Sequence, residues 1–122
     1  MNYCVVIPSY QRPKMLERAL ISVYKQTILP EVIYLIIDEP EDWGKYAFLK
    51  EFDKRLKVTY TGGGFGGARS RNVGLSLVQN DYVFFLDDDD EWLPRKAELQ
   101  MQLLDRNPNA VGVTCGLSLI HI

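Results

Sequence analysis

Four consecutive carboxylates, Asp87 to Asp90, follow directly on the apolar run Val83 to Leu86. Two unit charges a few ångströms apart repel by about 1 kcal/mol even in water, and by more near a protein surface. Helix capping would employ one or two of these acids, Asp90 and Glu91 being placed to complement the dipole of a following helix. Four in a row at the end of an apolar run ask for more, and a divalent cation supplies it. Clustered carboxylate oxygens select a hard ion such as Mg²⁺ or Mn²⁺. Zinc lacks its usual donors, because the chain has one histidine, His121, and two cysteines far apart in sequence.

A metal held by few carboxylates commonly shares its shell with phosphate oxygens. The segment "GGGFGGARSR", residues 62–71, suits that partner with flexible backbone, a helix start, and Arg69 and Arg71. Arginine grips phosphate through planar, bidentate contacts. At i and i+2 the two arginines face different ways, so one of them is expected to serve the ligand. Gly62, Gly64 and Gly67 also fit G-x-G-x-x-G, with Asp87 twenty positions past Gly67. That fingerprint keeps an NAD-dependent oxidoreductase as an alternative. Against it, the glycines follow the third strand rather than the first, and four acids would repel a pyrophosphate unless a cation intervened.

The elements that must position these residues alternate. "YCVVIP" reads as a buried parallel strand, as do "EVIYLIID", "KVTYT" and "YVFFL", with "AVGVTCG" opening a fifth. Leu16, Ala19, Leu20, Val23, Tyr24 and Thr27 give residues 12–27 the spacing of a helix with one buried face, and Pro13 suits its first turn. A weaker helix is expected over 41–54, interrupted by Gly44. Another is expected over 68–80, with Val73 and Leu77 sharing a face. A third spans 91–106, with Leu93, Ala97, Met101 and Leu104 on one stripe. Alternating β and α units imply an α/β fold, a mainly parallel sheet with helices on both faces. Ligands of such sheets bind at the carboxyl ends of the strands. "PSYQR", Asp38-Glu39 and "DDDDE" all fall there.

Bulk properties narrow the class further. The 122 residues are 47% hydrophobic and 25% charged, with a formal net charge of −2, which argues against nucleic acid or an anionic membrane as the main partner. Cys4 and Cys115 read as small buried thiols, favouring a reducing, cytoplasmic setting. No signal peptide is visible, and no apolar run approaches the roughly 18 residues of a membrane span. The closing "LSLIHI", residues 117–122, resembles the translation of an adapter used in sequencing libraries. The expected organisation is therefore one domain portion over 1–116, continuing naturally beyond Gly116, with 117–122 outside the fold.

Four ordered pieces resemble a family 2 glycosyltransferase of the Rossmann-like GT-A fold, truncated after its donor-binding part. "VVIPSYQR" is similar to the first-strand signature, "LIIDEP" to the end of the second strand, "ARSRNVGL" to the Ala-Arg-Asn helix start, and "YVFFLDDDDEW" to the D-x-D segment. The resemblance implies that Pro8, Ser9, Tyr10, Arg12 and Asp38 contact the nucleotide, Asp38 through a base N–H. It matches Arg71 and Asn72 to the helix motif, and maps the D-x-D acids onto Asp87, Asp88 and Asp89. Asp89 is the expected direct ligand of Mn²⁺ or Mg²⁺, with Asp87 reaching the ribose or metal-bound water, and Asp90 suited to either job or to capping. The implied donor is a nucleoside-diphosphate sugar of the UDP type, and the implied acceptor a saccharide or lipid-linked acceptor. Inversion at the anomeric carbon would use a carboxylate base beyond Gly116, leaving residues 1–116 inactive alone. The implied location is cytoplasmic, or the cytoplasmic face of a membrane. Gln11 stands where asparagine is common, and Glu39-Pro40 replaces Asp-Gly. A nucleotidyltransferase would carry its glycine-rich loop after the first strand, where "PSYQRP" has none, and a non-catalytic nucleotide-binding module is the remaining alternative.

Overall fold

The computed structural model describes residues 2–107, 109–113 and 119–121, from residue 110 onward as backbone. Four parallel strands form its sheet: β1 (Tyr3–Ser9), β2 (Val32–Ile37), β3 (Leu56–Tyr60) and β4 (Tyr82–Phe85), in the order β3-β2-β1-β4. The register pairs Val6 with Tyr34 on one side and with Phe85 on the other. β1 is central, and all seven of its residues are buried, as its unbroken apolar run requires. The winding direction reverses between β1 and β4, so the crevice at their carboxyl ends is the expected ligand position.

Helix α1 (Pro13–Tyr24) buries Leu16, Ala19, Leu20 and Val23 against Tyr3, Val5 and Ile7 of β1 and the matching positions of β2. Helix α2 (Gly66–Leu77) covers the opposite face. Its buried side is not the expected Val73–Leu77 stripe: Ser70 and Gly74 face inward and Leu77 is exposed. A Cβ placed on Gly74 would lie 2.4 Å from Val6 Cγ1 and 3.4 Å from Ile36 Cγ1. Small residues let the helix axis approach the sheet, and the large apolar residues beside them are left outside.

Two further expectations are corrected. Residues 41–54 form turns and a single 3₁₀ segment, Ala47–Glu51, rather than a helix. Tyr46 and Leu49 are buried there, but the intervening chain is too short of apolar periodicity to continue as α-helix. Helix α3 spans only Lys96–Asp105, because Pro94 disfavours helical backbone at Leu93, which is 79% exposed. Ala97 and Met101 keep the predicted buried stripe and Leu104 lies at its edge. Strand β5 (Ala110–Val113) pairs antiparallel with β6 (Leu119–His121). Cys4 is buried with a free thiol, while Cys115 lies outside the described residues.

Candidate functional site

Ladder hydrogen bonds run one residue past each strand and set the polar rim. Asp38 N–H donates to Ser9 O at 2.9 Å, Thr61 N–H to Ile37 O at 3.0 Å and Leu86 N–H to Val6 O at 3.1 Å. Ser9, Asp38, Thr61 and Asp87 are thereby drawn to one edge. A cleft of about 490 Å³ opens there, within the size range of small-molecule sites. Of the residues singled out in the sequence, Pro8, Ser9, Tyr10, Arg12, Asp38, Arg71, Asp87, Asp88 and Asp89 all line it. Asn72, exposed beside Arg71 on α2, does not.

The four aspartates divide into two kinds. Asp88 is buried, and its Oδ2 accepts from Ser9 Oγ at 3.0 Å and from Tyr10 N–H at 3.1 Å. Its Oδ1 accepts from Arg12 Nη1 at 3.3 Å. This carboxylate binds the loop after β1 to the loop after β4. Asp87, Asp89 and Asp90 face the solvent side, and one oxygen from each lies within 4.8 Å of the other two. Neighbouring oxygens on one Mg²⁺ or Mn²⁺ ion sit about 3 Å apart and opposed ones about 4 Å, so these three can close on one ion through side-chain rotations. Arginines offset the remaining charge. Arg71 Nη2 donates to Asp87 at 2.7 Å, and Arg12 Nη1 lies 3.2 Å from Asp89.

Capping does not account for the acids. The N-cap of α3 is Arg95, with no side-chain cap bond, and the helix begins five residues after Glu91. Its first turn is served instead from the turn that follows α1, where the buried Gln26 accepts from Ala97 N–H at 3.0 Å and donates to Leu93 O at 2.7 Å. Thr27 N–H to Pro94 O and Trp92 N–H to Ser22 Oγ complete this attachment. The segment that follows the acids is therefore fixed by α1 and the turn after it, with no acid of the cluster capping α3.

Asp38 is committed to the glycine-rich loop. Its Oδ1 accepts from Thr61 Oγ1 at 2.6 Å and from Phe65 N–H at 3.0 Å, and its Oδ2 from Gly66 N–H at 2.8 Å. Burial raises the Asp38 carboxyl, but these three donors and the nearby Arg69 charge outweigh it and hold the pKa below the usual range. A carboxylate thus occupies the amides at the start of α2 that a dinucleotide pyrophosphate would need. The G-x-G-x-x-G pattern is accordingly a loop built around Asp38, with Gly62, Gly63, Gly64 and Gly66 all at positive φ. The two arginines part as expected, Arg71 to Asp87 and Arg69 over the Phe65 ring at 4.3 Å.

Sequence reasoning missed the pairing of the two unusual positions. Gln11 adopts φ 53°, a left-handed conformation better suited to asparagine. Its N–H donates to Glu39 Oε2 at 2.9 Å, and Glu39 is buried, also accepting from Tyr46 Oη and from Lys45 Nζ at 2.6 Å. Burial raises the Glu39 carboxyl, and Lys45, Tyr46 and the Gln11 amide together bring it below normal. The longer acid at 39 therefore steadies the less accommodating residue at 11. Asp90 joins the acid cluster, and Ser70 lines the cleft unannounced by any motif spacing.

A three-layer α/β sheet with an acidic and basic cleft at its switch point is the arrangement in which sheets of this class bind their ligands. The sequence model for "Glycosyl transferase family 2" matches residues 4–117, and the chain belongs to that family. It is 28% identical over 103 residues to the Escherichia coli UDP-Glc:alpha-D-GlcNAc-diphosphoundecaprenol beta-1,3-glucosyltransferase WfgD, spanning 84% of this chain and 41% of that protein. It is 33% identical over 119 residues to the putative teichuronic acid biosynthesis glycosyltransferase TuaG of Bacillus subtilis, covering 95% and 46%. The fold also matches S. aureus TarS 1–349 solved with UDP, at a TM-score of 0.76 and 26% identity, over 88% of this chain and 33% of that one. The fold is therefore the GT-A type, and the chain spans less than half the length of these relatives. No helix among the described residues is long and apolar enough to cross a membrane.

Proposed function

We propose that the chain forms the donor-binding part of a glycosyltransferase that moves a sugar from a UDP-sugar to a saccharide or lipid-linked acceptor. The observation that carries this reading is the convergence of Asp87, Asp89, Arg12 and Arg71 in one cleft at the β1/β4 switch point, with Asp90 just outside it and near enough to the two acids to share an ion with them. The relatives named as glycosyltransferases and the UDP complex of TarS support it.

In this reading Tyr10, 55% exposed at the cleft mouth, packs its ring on the base. Asp38 presents the outer lone pair of Oδ2 to a base N–H while its other lone pairs hold the loop. Asp89 and Asp87 hold Mn²⁺ or Mg²⁺, with Asp90 beside them. Such an ion, when bound, stabilises the charge that develops on the diphosphate leaving group. Arg71 and Arg12, each already paired with an acid of the cluster, exchange those partners for phosphate oxygens. Asp88 acts at one remove, fixing Ser9, Tyr10 and Arg12 around the ligand. Transfer is proposed to invert the anomeric carbon, using a carboxylate base C-terminal to Gly116.

A titration panel of UDP, GDP and NAD, each with Mn²⁺ or with chelator, tests the reading. UDP binding that requires Mn²⁺ and disappears in Asp89→Ala, with an unchanged melting curve, is the expected result. NAD binding indifferent to chelator, or UDP binding unaltered in Asp89→Ala, would overturn it.

A further inference from the structure

Two buried side-chain oxygens have no hydrogen-bond partner among the described residues, Tyr60 Oη and Ser70 Oγ, and only Ser70 lines the cleft. Ser70 is 1% exposed. A helical serine ordinarily returns its hydroxyl to a carbonyl three or four residues back. Ser22 does so to Ala19 O at 2.7 Å, and Ser76 to Val73 O at 2.6 Å. Ser70 departs from its neighbours. Leaving a hydroxyl buried and unpaired costs about 1–3 kcal/mol, so such groups are rare and call for a partner. Ser70 also stands where the Ala-Arg-Asn pattern has alanine, so a helix start of this kind does not require the hydroxyl.

The direction of Ser70 follows from the packing of α2. Gly74, four residues on and on the same face, meets Val6 and Ile36. Two residues further along those strands, on the same side of the sheet, stand Pro8 and Asp38. Ser70, one helical turn earlier, is therefore directed at the Pro8 and Asp38 end of the cleft. Arg71, its neighbour, turns instead to Asp87 and the acid cluster.

We infer that Ser70 Oγ is a ligand-binding group that hydrogen-bonds the nucleobase edge, its partner being supplied when the nucleotide enters. This rests on the donor-site reading above and adds a contact to it. A hydroxyl can donate or accept, so it serves either a carbonyl or an N–H of uracil. The bond belongs to the base and not to the diphosphate, so uridine and UDP should feel its loss equally.

The test is a titration of the wild-type chain and of Ser70→Ala with uridine, UDP and Mn²⁺, with melting curves recorded before ligand is added. Ser70→Ala should weaken uridine and UDP by the same factor, about 5–10-fold. Mn²⁺ affinity should not change, and the ligand-free melting temperature should hold or rise as an unpaired hydroxyl is removed. Wild-type binding of UDP with an unchanged affinity in Ser70→Ala would overturn this inference alone. A lower ligand-free melting temperature would mean that the hydroxyl serves the fold, and would overturn it too. No UDP binding by wild type with Mn²⁺ present would remove the donor-site reading and this inference with it.

Discussion

Gly74→Ala should destabilise the protein although alanine is the better helix former. The added Cβ would stand 2.4 Å from Val6 Cγ1 and 3.3 Å from Val6 Cγ2. Carbon atoms pack at about 3.5–4.0 Å, so α2 or β1 must give way by over about 1 Å. Val6 is fully buried at the centre of the sheet and cannot swing clear. Overpacking of this kind costs about 1–3 kcal/mol, and so deep an overlap belongs at the upper end. Replacing glycine in a helix interior returns about 1 kcal/mol. The net loss is about 2 kcal/mol, or roughly 6–10 °C in melting temperature for a domain of this size. Urea and thermal melts of wild type, Gly74→Ala, Val6→Ala and the double variant measure it. The two substitutions should couple, the pair costing less than the sum of the singles, because shortening Val6 makes room for the new methyl. UDP affinity should also fall in Gly74→Ala, since the displaced helix carries Ser70 and Arg71. A Gly74→Ala variant as stable as wild type would refute the close approach and the face assigned to α2.

Three other outcomes are expected. Arg12→Ala should bind Mn²⁺ a few-fold more tightly without nucleotide, because a competing cation 3.2 Å from Asp89 is gone, and UDP more weakly; weaker Mn²⁺ binding by electron paramagnetic resonance would contradict it. Asp38 and Glu39 both titrate below the usual carboxylate range, so their contribution is complete above about pH 5 and is lost as pH falls through the folded values. Urea melts from pH 7 to pH 3 should hold level and then decline, more gently in Glu39→Gln. Burial and the Glu31 charge push the Cys4 thiol up to about 11 against a smaller lowering by its own backbone bond, so a thiol reagent at pH 8 should leave Cys4 unmodified until the protein unfolds.

Apolar runs bounded by polar clusters made the four parallel strands legible, and alternation with helices placed their carboxyl ends together. Acid crowding after β4 identified the cleft, since few structural roles require it. Two of the misread elements, the face of α2 and the start of α3, share one cause: periodicity counts large apolar side chains. It gave α2 the face of Val73 and Leu77, whereas close packing selected Ser70 and Gly74. It ran α3 back to Leu93, across the proline that delays the helix, and could not show that Gln26, from the turn after α1, supplies the contact its first turn needs. The contact between Gln11 and Glu39 spans 28 residues and is set by tertiary geometry, so each looked like an isolated oddity.

The strand order has a kinetic consequence. β4 joins β1 from 79 residues away, and the same separation divides Ser9 from its partner Asp88. Parallel pairings at such separation close large loops before any contact rewards them, so they form late. β1, β2 and β3 can assemble from nearer neighbours while the acids remain in an open chain. The cleft is then completed in the same event that docks β4, and Trp92, packed edge-on to Phe84 at 5.7 Å, becomes buried with it. In refolding, tryptophan burial and the recovery of nucleotide binding should share one rate, slower than the first gain of secondary structure.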